Sequence, residues 1–548
     1  MPAAWSPMSV ECVENVVDVR NLNYTYTGNP HQPLKDVLCT FGKGARVLVG
    51  GCNGAGKSTL LSILAGKKMI TKQSALVLGK EAFHDSILAS LVTYCGDWWR
   101  TDFFFNITVK ELIGSNLDSP RAQHLIEILQ VDLNWRINAI SDGQRRRCQL
   151  LEALQYERDV YLLDEITTDL DLFAREGLLA FLKQESEGRG ATILYCTHIF
   201  DHLEGWATHM LYFSQGQVKR CCTFDDFSEY HELVKSGERC PLYTLMKSWV
   251  FEEYQAPADM QKCGDEAAPG FDGPFIDVKN LKFSYAKGLP PCIKDMSFSF
   301  YRGDRVLVVG ANGACKSTIM SILGGRRMLP RGQASVLGKD AFNDTELSAE
   351  VMYCGDWWRT KFFMNITIRE LLGESSKTAR CEYLCNVLQV DLGWKINNLS
   401  DGQRRRCQLL ETLVHPRSVL LMDEITTDLD LYARCGILSF LRAESELRGC
   451  TVFYCTHIFD HLEGWATKVL HLAHGEVQKC CPIDEVAEYT ELINRGVKSP
   501  LYQLVRKWIY DEYDQVREEK KRRVDEPENL DGRIPNLGLA GPMQMMSG

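Results

Sequence analysis

The 548-residue sequence contains no run approaching the roughly 18 consecutive apolar residues that a membrane helix needs. Its first residues, Met1-Pro2-Ala3-Ala4-Trp5, lack the charged and apolar regions of a secretion signal. Positive charge is not in excess either: 62 Lys and Arg against 72 Asp and Glu leave a formal charge of −10, which argues against a nucleic-acid coat. No CxxC pair has zinc spacing, and no CxxCxxC run suggests an iron–sulfur cluster. The 21 cysteines are odd in number and scattered, and many sit inside apolar runs such as Tyr94-Cys95 and Tyr195-Cys196. They therefore read as reduced, small hydrophobes rather than a disulfide framework, and the doublets Cys221-Cys222 and Cys480-Cys481 read as strand residues. Together these absences predict a cytoplasmic chain with no transmembrane segment. Its length predicts two to four domains.

The chain is organised by a repeat. YCTHIFDHLEGWAT occupies residues 195–208 and 454–467, SDGQRRRCQ residues 141–149 and 400–408, and DEITTDLDL residues 164–172 and 423–431, always 259 residues apart. The same spacing relates Tyr26 to Tyr285 and Lys57 to Lys316, so no net insertion has accumulated over most of the unit. A tandem duplication with domains at 16–254 and 275–513 follows, joined by a linker at 255–274 rich in Pro, Gly, Ala and acid. Residues 514–548, charged and then rich in Gly, Pro and Met, have no apolar period and are expected to be disordered. Within them, Lys520-Lys521-Arg522-Arg523 reads as a solvated helix end or, alternatively, a nuclear address.

The chemistry of one copy begins at Val47-Leu48-Val49-Gly50, a short apolar run with the character of a buried strand, followed by Gly51-Cys52-Asn53-Gly54-Ala55-Gly56-Lys57-Ser58-Thr59. GxxxxGK[ST] between a strand and a helical pattern is a P-loop, whose backbone N–H groups face the β- and γ-phosphates of a nucleotide. Lys57 adds a point charge there, and the Ser58 hydroxyl is a ligand for Mg²⁺. Downstream, Val160-Tyr161-Leu162-Leu163 ends in Asp164-Glu165. Paired carboxylates at the tip of an apolar strand need a cation, so Asp164 is assigned to Mg²⁺ and Glu165 to the general base that polarises the attacking water. A further apolar run ends in Thr197-His198, placing an imidazole at another strand's C-terminal edge, where ligands of parallel sheets collect. His198 is read as a γ-phosphate sensor. The second copy repeats the set as Gly310, Asn312, Gly313, Lys316, Ser317, Thr318, Asp423, Glu424 and His457.

These residues resemble the ATP-binding-cassette (ABC) ATPases over both halves. The resemblance rests on the P-loop, the signature-like Ser141-Asp142-Gly143-Gln144, the Asp164-Glu165 strand, the Asp169-Leu170-Asp171 loop and His198, in that order. It implies an α/β fold of two P-loop NTPase domains, each a mixed sheet with a helical subdomain and an N-terminal antiparallel sheet. It also implies that Tyr26 and Tyr285 stack on adenine. Ser141, Gly143 and Gln144, with Ser400, Gly402 and Gln403, would contact ATP across a head-to-tail pair of halves within a monomer. Where most cassettes have Gln, this chain has Tyr94-Cys95-Gly96-Asp97-Trp98-Trp99, repeated at 353–358, so Asp97 and Asp356 take the metal-ligand position. The tryptophan pairs are either a protein-docking face or packing residues. Arg145, Arg146 and Arg147 fall on the signature helix in this family.

The phrases SDGQRRR and DEITTDLD are most similar to membrane-free eukaryotic ABC ATPases, associated in fungi with the NOT-type deadenylase and transcription complex and in plants placed in ABC subfamily I. The expected function is ATP hydrolysis that drives a conformational change in a protein partner. The alternatives are the ATPase subunit of a transporter with separate membrane chains, and a nucleotide-gated scaffold with little turnover. One departure separates the copies: Cys315 replaces the glycine at Gly56. There a left-handed backbone costs roughly 1–2 kcal/mol, while Lys316, Ser317, Asp423, Glu424 and His457 all remain; a minor alternative is that the thiol, at a helix N-terminus beside a lysine, has a lowered pKa and senses oxidants.

Overall fold

A computed structural model of the chain describes residues 15–26, 32–96, 107–201, 203–253, 267–268, 270–286, 288–355, 365–427, 429–460 and 462–525. By proximity these fall into two units: those within Met1–His198, His202–Ser228 and Glu518–Gly548, and those within Ile199–Asp201 and Glu229–Arg517. Residues 255–266 and 269 of the expected linker lie outside the described residues, as do Asp97, Asp356 and both tryptophan pairs.

In the first unit, alternation of buried and exposed residues makes β1 (Val17–Tyr24) and β2 (Leu34–Phe41) antiparallel strands with one apolar face. The continuous apolar run of β3 (Arg46–Gly50) makes a strand buried on both faces, followed by α1 (Lys57–Leu64). β4 (Ala75–Val77) and β5 (Lys80–Glu81) complete a four-stranded antiparallel sheet in the order β2-β1-β4-β5. After β6 (Val92–Cys95) come two helices, α2 (Pro120–Leu129) and α3 (Asp142–Leu154). The chain returns through β7 (Val160–Asp164), α4 (Leu172–Arg189) and β8 (Thr192–Cys196), and then β9 (His209–Ser214) and β10 (Gln217–Thr223). The second sheet has the order β10-β9-β3-β8-β7-β6, antiparallel only at β9–β10.

Register decides the site. Cys196 of β8 is level with Val49 of β3 on one side and with Asp164 of β7 on the other. The three C-terminal strand ends therefore deliver the P-loop, the Asp164-Glu165 pair and Thr197-His198 side by side.

The second unit repeats the order with β11 (Ile276–Phe283), β12 (Ile293–Phe300), β13 (Arg305–Val309), α5 (Lys316–Leu323), β14 (Ala334–Val336), β15 (Lys339–Asp340) and β16 (Val351–Cys354). It continues through α6 (Ala379–Leu388), α7 (Asp401–Leu413), β17 (Val419–Asp423), α8 (Leu431–Arg448), β18 (Thr451–Cys455), β19 (Lys468–Ala473) and β20 (Glu476–Pro482). A parallel bridge between Asp295 and Glu476 joins what the first unit keeps as two sheets into one of ten strands. The last helix, α9 (Pro500–Asp525), runs past the expected boundary at 513 and carries Lys520–Arg523 in its final turns. No helix of the described residues is long and apolar enough to cross a membrane.

The described cysteines are all free. Cys95, Cys148, Cys354 and Cys407 are buried as small hydrophobes, and the doublets lie on β10 and β20.

A buried ionic knot ties the helices to the strand that ends in Asp164. Arg121 of α2 donates to Glu185 of α4 at 2.6 Å and to the Tyr161 hydroxyl of β7 at 2.7 Å, and Tyr161 in turn donates to Glu185 at 3.0 Å. Burial pushes the Glu185 carboxyl up, but Arg121, Arg189 and Tyr161 together hold it below the usual glutamate range. A depressed folded pKa adds stability at neutral pH that is lost as the pH falls below that range. Removing Arg121 leaves the buried carboxylate with Arg189, at 2.6 Å, as its remaining cation. Arg121→Ala is therefore expected to lower unfolding stability by about 2 kcal/mol, read as a fall in the denaturant midpoint at pH 7 that shrinks toward acid pH. A midpoint shift unchanged between pH 7 and pH 4 would exclude the ionic account. The second copy has Leu420 in place of Tyr161, so its counterpart, Arg380–Glu444–Arg448, has no tie to the strand through a phenol.

Candidate nucleotide site

Leaving β3, the chain cannot carry a side chain. A Cβ on Gly51 would stand 2.2 Å from the Phe213 carbonyl oxygen, so only glycine passes. The loop then turns through Gly56, φ 108°, into the N-terminus of α1. Lys57 folds back beneath it, buried, with its ammonium donating to Gly51 O at 2.7 Å and Cys52 O at 2.8 Å. The result is a ring of backbone around a positive charge at a helix N-terminus, an arrangement that receives an anion. In the second unit Lys316 makes the same bonds, to Gly310 O at 2.8 Å and Ala311 O at 3.0 Å.

Cys315 takes the helix N-cap there in the left-handed region, φ 72°, where Gly56 has 108°. The expectation of a lowered thiol pKa is corrected. Burial, together with the neighbouring Cys292 thiol and the hydrogen bond between the two, pushes Cys315 up to about 12, and the Lys316 charge does not offset them.

At the end of β7, Asp164 is buried and, among the described residues, its Oδ1 accepts no hydrogen bond, and the same holds for Asp423 Oδ1. A buried carboxylate oxygen left without a donor fits a cation. Ser58 and Asp164, and in the second unit Ser317 and Asp423, are the residues that could hold Mg²⁺. Tyr353 also donates to Asp423 Oδ2 at 3.2 Å.

Glu165 follows in a left-handed backbone, φ 50°, with its N–H donating to Cys196 O at 3.0 Å. Its carboxylate lies against His198: Nε2 is 3.5 Å from Oε1, and the His198 N–H donates to Oε2 at 3.4 Å. Glu424 and His457 repeat this geometry, with φ 50° and the same 3.5 Å separation.

Tyr26 stands at the rim, its hydroxyl 2.9 Å from Thr59 Oγ1, its ring edge-on to Tyr24 and under the Lys68 ammonium. Tyr285 is held likewise by Thr318 at 2.6 Å and covered by Arg327. Thr59 and Thr318 thus steady the rings.

A cavity of about 310 Å³ in the first unit is lined by Tyr26, Asn53, Gly54, Gly56, Lys57, Ser58, Thr59, Glu165 and His198, together with Pro33, Ala55 and Cys196. Nine of the expected residues thus share one space, whereas Pro33 and Cys196 had no sequence signal. Ser141, Gly143 and Gln144 do not line it. Ser141 caps α3, accepting from Gln144 N at 3.2 Å, while Gln144 Oε1 accepts from Ser141 N at 2.9 Å. Ser400 and Gln403 form the same capping box on α7. Among the described residues, and apart from the helix's own backbone and the two chain neighbours, no atom lies within 4 Å of where a Gly402 Cβ would stand, so the start of this helix is open on that side.

The arginines after the capping box are directed inward. Arg146 donates to the Glu165 carbonyl at 3.0 Å and to Thr168 Oγ1 at 2.9 Å, and pairs with Asp169 at 3.2 Å. Arg147 pairs with Asp171, the N-cap of α4, at 2.9 Å. Arg146 is the functional residue that sequence reasoning missed, since it grips the backbone of Glu165 itself. In the second unit Arg405 bonds Thr427 at 3.2 Å.

The ABC transporter family model matches residues 34–168 and 293–427. ABC transporter I family member 20 of Arabidopsis thaliana is 37% identical over 268 residues, covering 45% of this chain and 80% of that protein. CCR4-associated factor 16 of Saccharomyces cerevisiae is 36% identical over 241 residues, covering 40% of this chain and 83% of that protein. Among solved structures, the complex of the archaeal ribosomal stalk protein aP1 and an archaeal ribosome recycling factor aligns with a TM-score of 0.62 at 18% identity, over 86% of this chain and 92% of that one, and shares the fold. With both copies matched and each carrying its own cradle, the chain belongs to the ABC transporter family, as a tandem of two ATP-binding cassettes.

Proposed function

We propose that this chain is a Mg²⁺-dependent ATP hydrolase whose two cassettes, at 16–254 and 275–513, work as a pair to drive a conformational change in a protein partner. The observation that carries the reading is the first unit's cavity, where a phosphate cradle, a carboxylate and an imidazole meet beneath an aromatic ring. The P-loop amides and Lys57 bind the phosphates. Ser58 and Asp164 would hold Mg²⁺, which would supply positive charge to the phosphates. Glu165 accepts the proton of the attacking water, and His198, against the same carboxylate, orients it and senses the γ-phosphate. Arg146 keeps the Glu165 backbone in its left-handed turn.

The yeast relative's name ties it to CCR4, which favours a protein partner of a deadenylase or transcription complex over a transported solute, and a cytoplasmic and nuclear location. The family's description as transporters keeps separate membrane subunits as the second reading.

Phosphate release from ATP by the purified chain tests the proposal. Turnover is expected with Mg²⁺ and none with a chelator. Nucleotide binding without phosphate release under any divalent cation would overturn the hydrolase in favour of a nucleotide-gated scaffold. Capture of partners by the doubly substituted Glu165→Gln, Glu424→Gln chain then separates soluble protein partners from membrane subunits.

A further inference from the structure

Two differences between the copies meet at one point. Gly56 of the first copy is Cys315 in the second, and Pro33 of the first is Cys292 in the second, both at the 259-residue spacing. In the first copy a Cβ built on Gly56 would stand 2.5 Å from the Pro33 carbonyl oxygen, so a side chain at this position is aimed at the partner position. In the second copy it arrives there: Cys315 Sγ donates to Cys292 O at 3.0 Å. Both residues are half-buried, so small solutes reach them. Cys292 sits just before β12, anchored by its N–H to Phe283 O at 2.9 Å. A disulfide needs Cβ atoms about 3.5–4.5 Å apart, and the Cys315 sulfur already rests against the Cys292 backbone.

We propose that Cys292 and Cys315 are a redox site: a peroxide joins them in a disulfide that fixes the second P-loop and lowers nucleotide binding there. The Cys292 sulfur, as thiolate, attacks a peroxide oxygen, and Cys315 is the second thiol. The S–O bond forms as the O–O bond breaks, and the departing oxygen leaves as water. The second thiol then attacks the sulfenic sulfur, the S–S bond replaces the S–O bond, and a second water departs with the remaining proton. Two thiols and one hydrogen peroxide thus give one disulfide and two waters.

The consequence follows from the place of Cys315 in the loop. It precedes Lys316, whose ammonium closes the cradle, and it caps α5. Tethered to the start of β12, it holds its φ near 72° and cannot move toward the 108° that Gly56 adopts. The first cradle, with Gly56 and Pro33, has neither sulfur and is untouched. The effect on nucleotide binding rests on the function proposed above. The cross-link does not.

The test exposes the full chain to hydrogen peroxide, blocks free thiols with N-ethylmaleimide and maps peptides by mass spectrometry, alongside titration with a fluorescent ATP analogue. A Cys292–Cys315 linked peptide is expected, with a fall of about tenfold in affinity at one of two sites, both reversed by dithiothreitol. Cys292→Ser is expected to give neither the peptide nor the reversible fall. Oxidation of other thiols without this peptide would overturn the proposal, as would an equal fall in Cys292→Ser. The linked peptide without any change in affinity would overturn its regulatory half. A linked peptide in a chain that binds no nucleotide even when reduced would overturn the hydrolase reading and the regulatory half while the redox pair stood.

Discussion

Glu165→Gln is expected to lower steady-state ATP turnover by about 10²–10³-fold while leaving nucleotide affinity within about threefold of the parent. The carboxylate is placed to take a proton, whereas the phosphate cradle is made by other groups, Lys57 and the loop amides. Glutamine keeps the shape and the backbone of this turn. Gln73, Gln130, Gln215 and Gln389 of the same chain all adopt left-handed backbones, with φ between 48° and 64°. The substitution therefore tests chemistry and not folding. Phosphate release and equilibrium binding, measured on one preparation, check it. Turnover equal to the parent would remove Glu165 from the role of general base.

Lys57→Ala is expected to cost about 10²-fold in turnover, and Lys316→Ala no more than about threefold. The two ammonium groups make matching bonds within their loops, so the asymmetry has to come from the neighbouring residue, Gly56 or Cys315. A left-handed backbone at a residue with a Cβ costs roughly 1–2 kcal/mol, and the second cradle carries that cost before any phosphate arrives. Cys315→Gly should accordingly raise affinity or rate at the second site by up to about tenfold. Equal losses from the two lysine substitutions, together with no gain from Cys315→Gly, would show that the loop accommodates the thiol and that the cradles are equivalent.

The site was legible in the sequence wherever local pattern and chain position fix geometry together. A fully apolar strand followed by GxxxxGK[ST] leaves little choice of architecture, and the ends of parallel strands gather ligands whatever the details of packing. Asp164, Glu165 and His198 followed from that alone, and the register of Cys196 against both neighbouring strands makes them level. Arg146 was not legible, because which of three consecutive arginines reaches the Glu165 carbonyl depends on how α3 is rotated against the strand. The raised thiol of Cys315 was hidden for a related reason. Its position beside a lysine is local, but what overrides the lysine is burial first and then Cys292, 23 residues away along the chain, both of them products of folding. The fold's departures have the same origin. A single bridge, Asp295 to Glu476, merges two sheets in one unit, and the exchange of Tyr161 for Leu420 removes one bond from a buried knot.

The left-handed turn at Glu165 and Glu424 also restricts how these cassettes can drift. Valine, isoleucine and threonine, the common one-step neighbours of buried strand residues, are barred from this backbone by their branched Cβ, whereas glycine, asparagine and aspartate enter it readily. A descendant copy that lost this carboxylate would therefore carry a residue without a branched Cβ at this position. Its strand, turn and cradle would survive intact, and the lineage could lose the reaction long before it lost the fold.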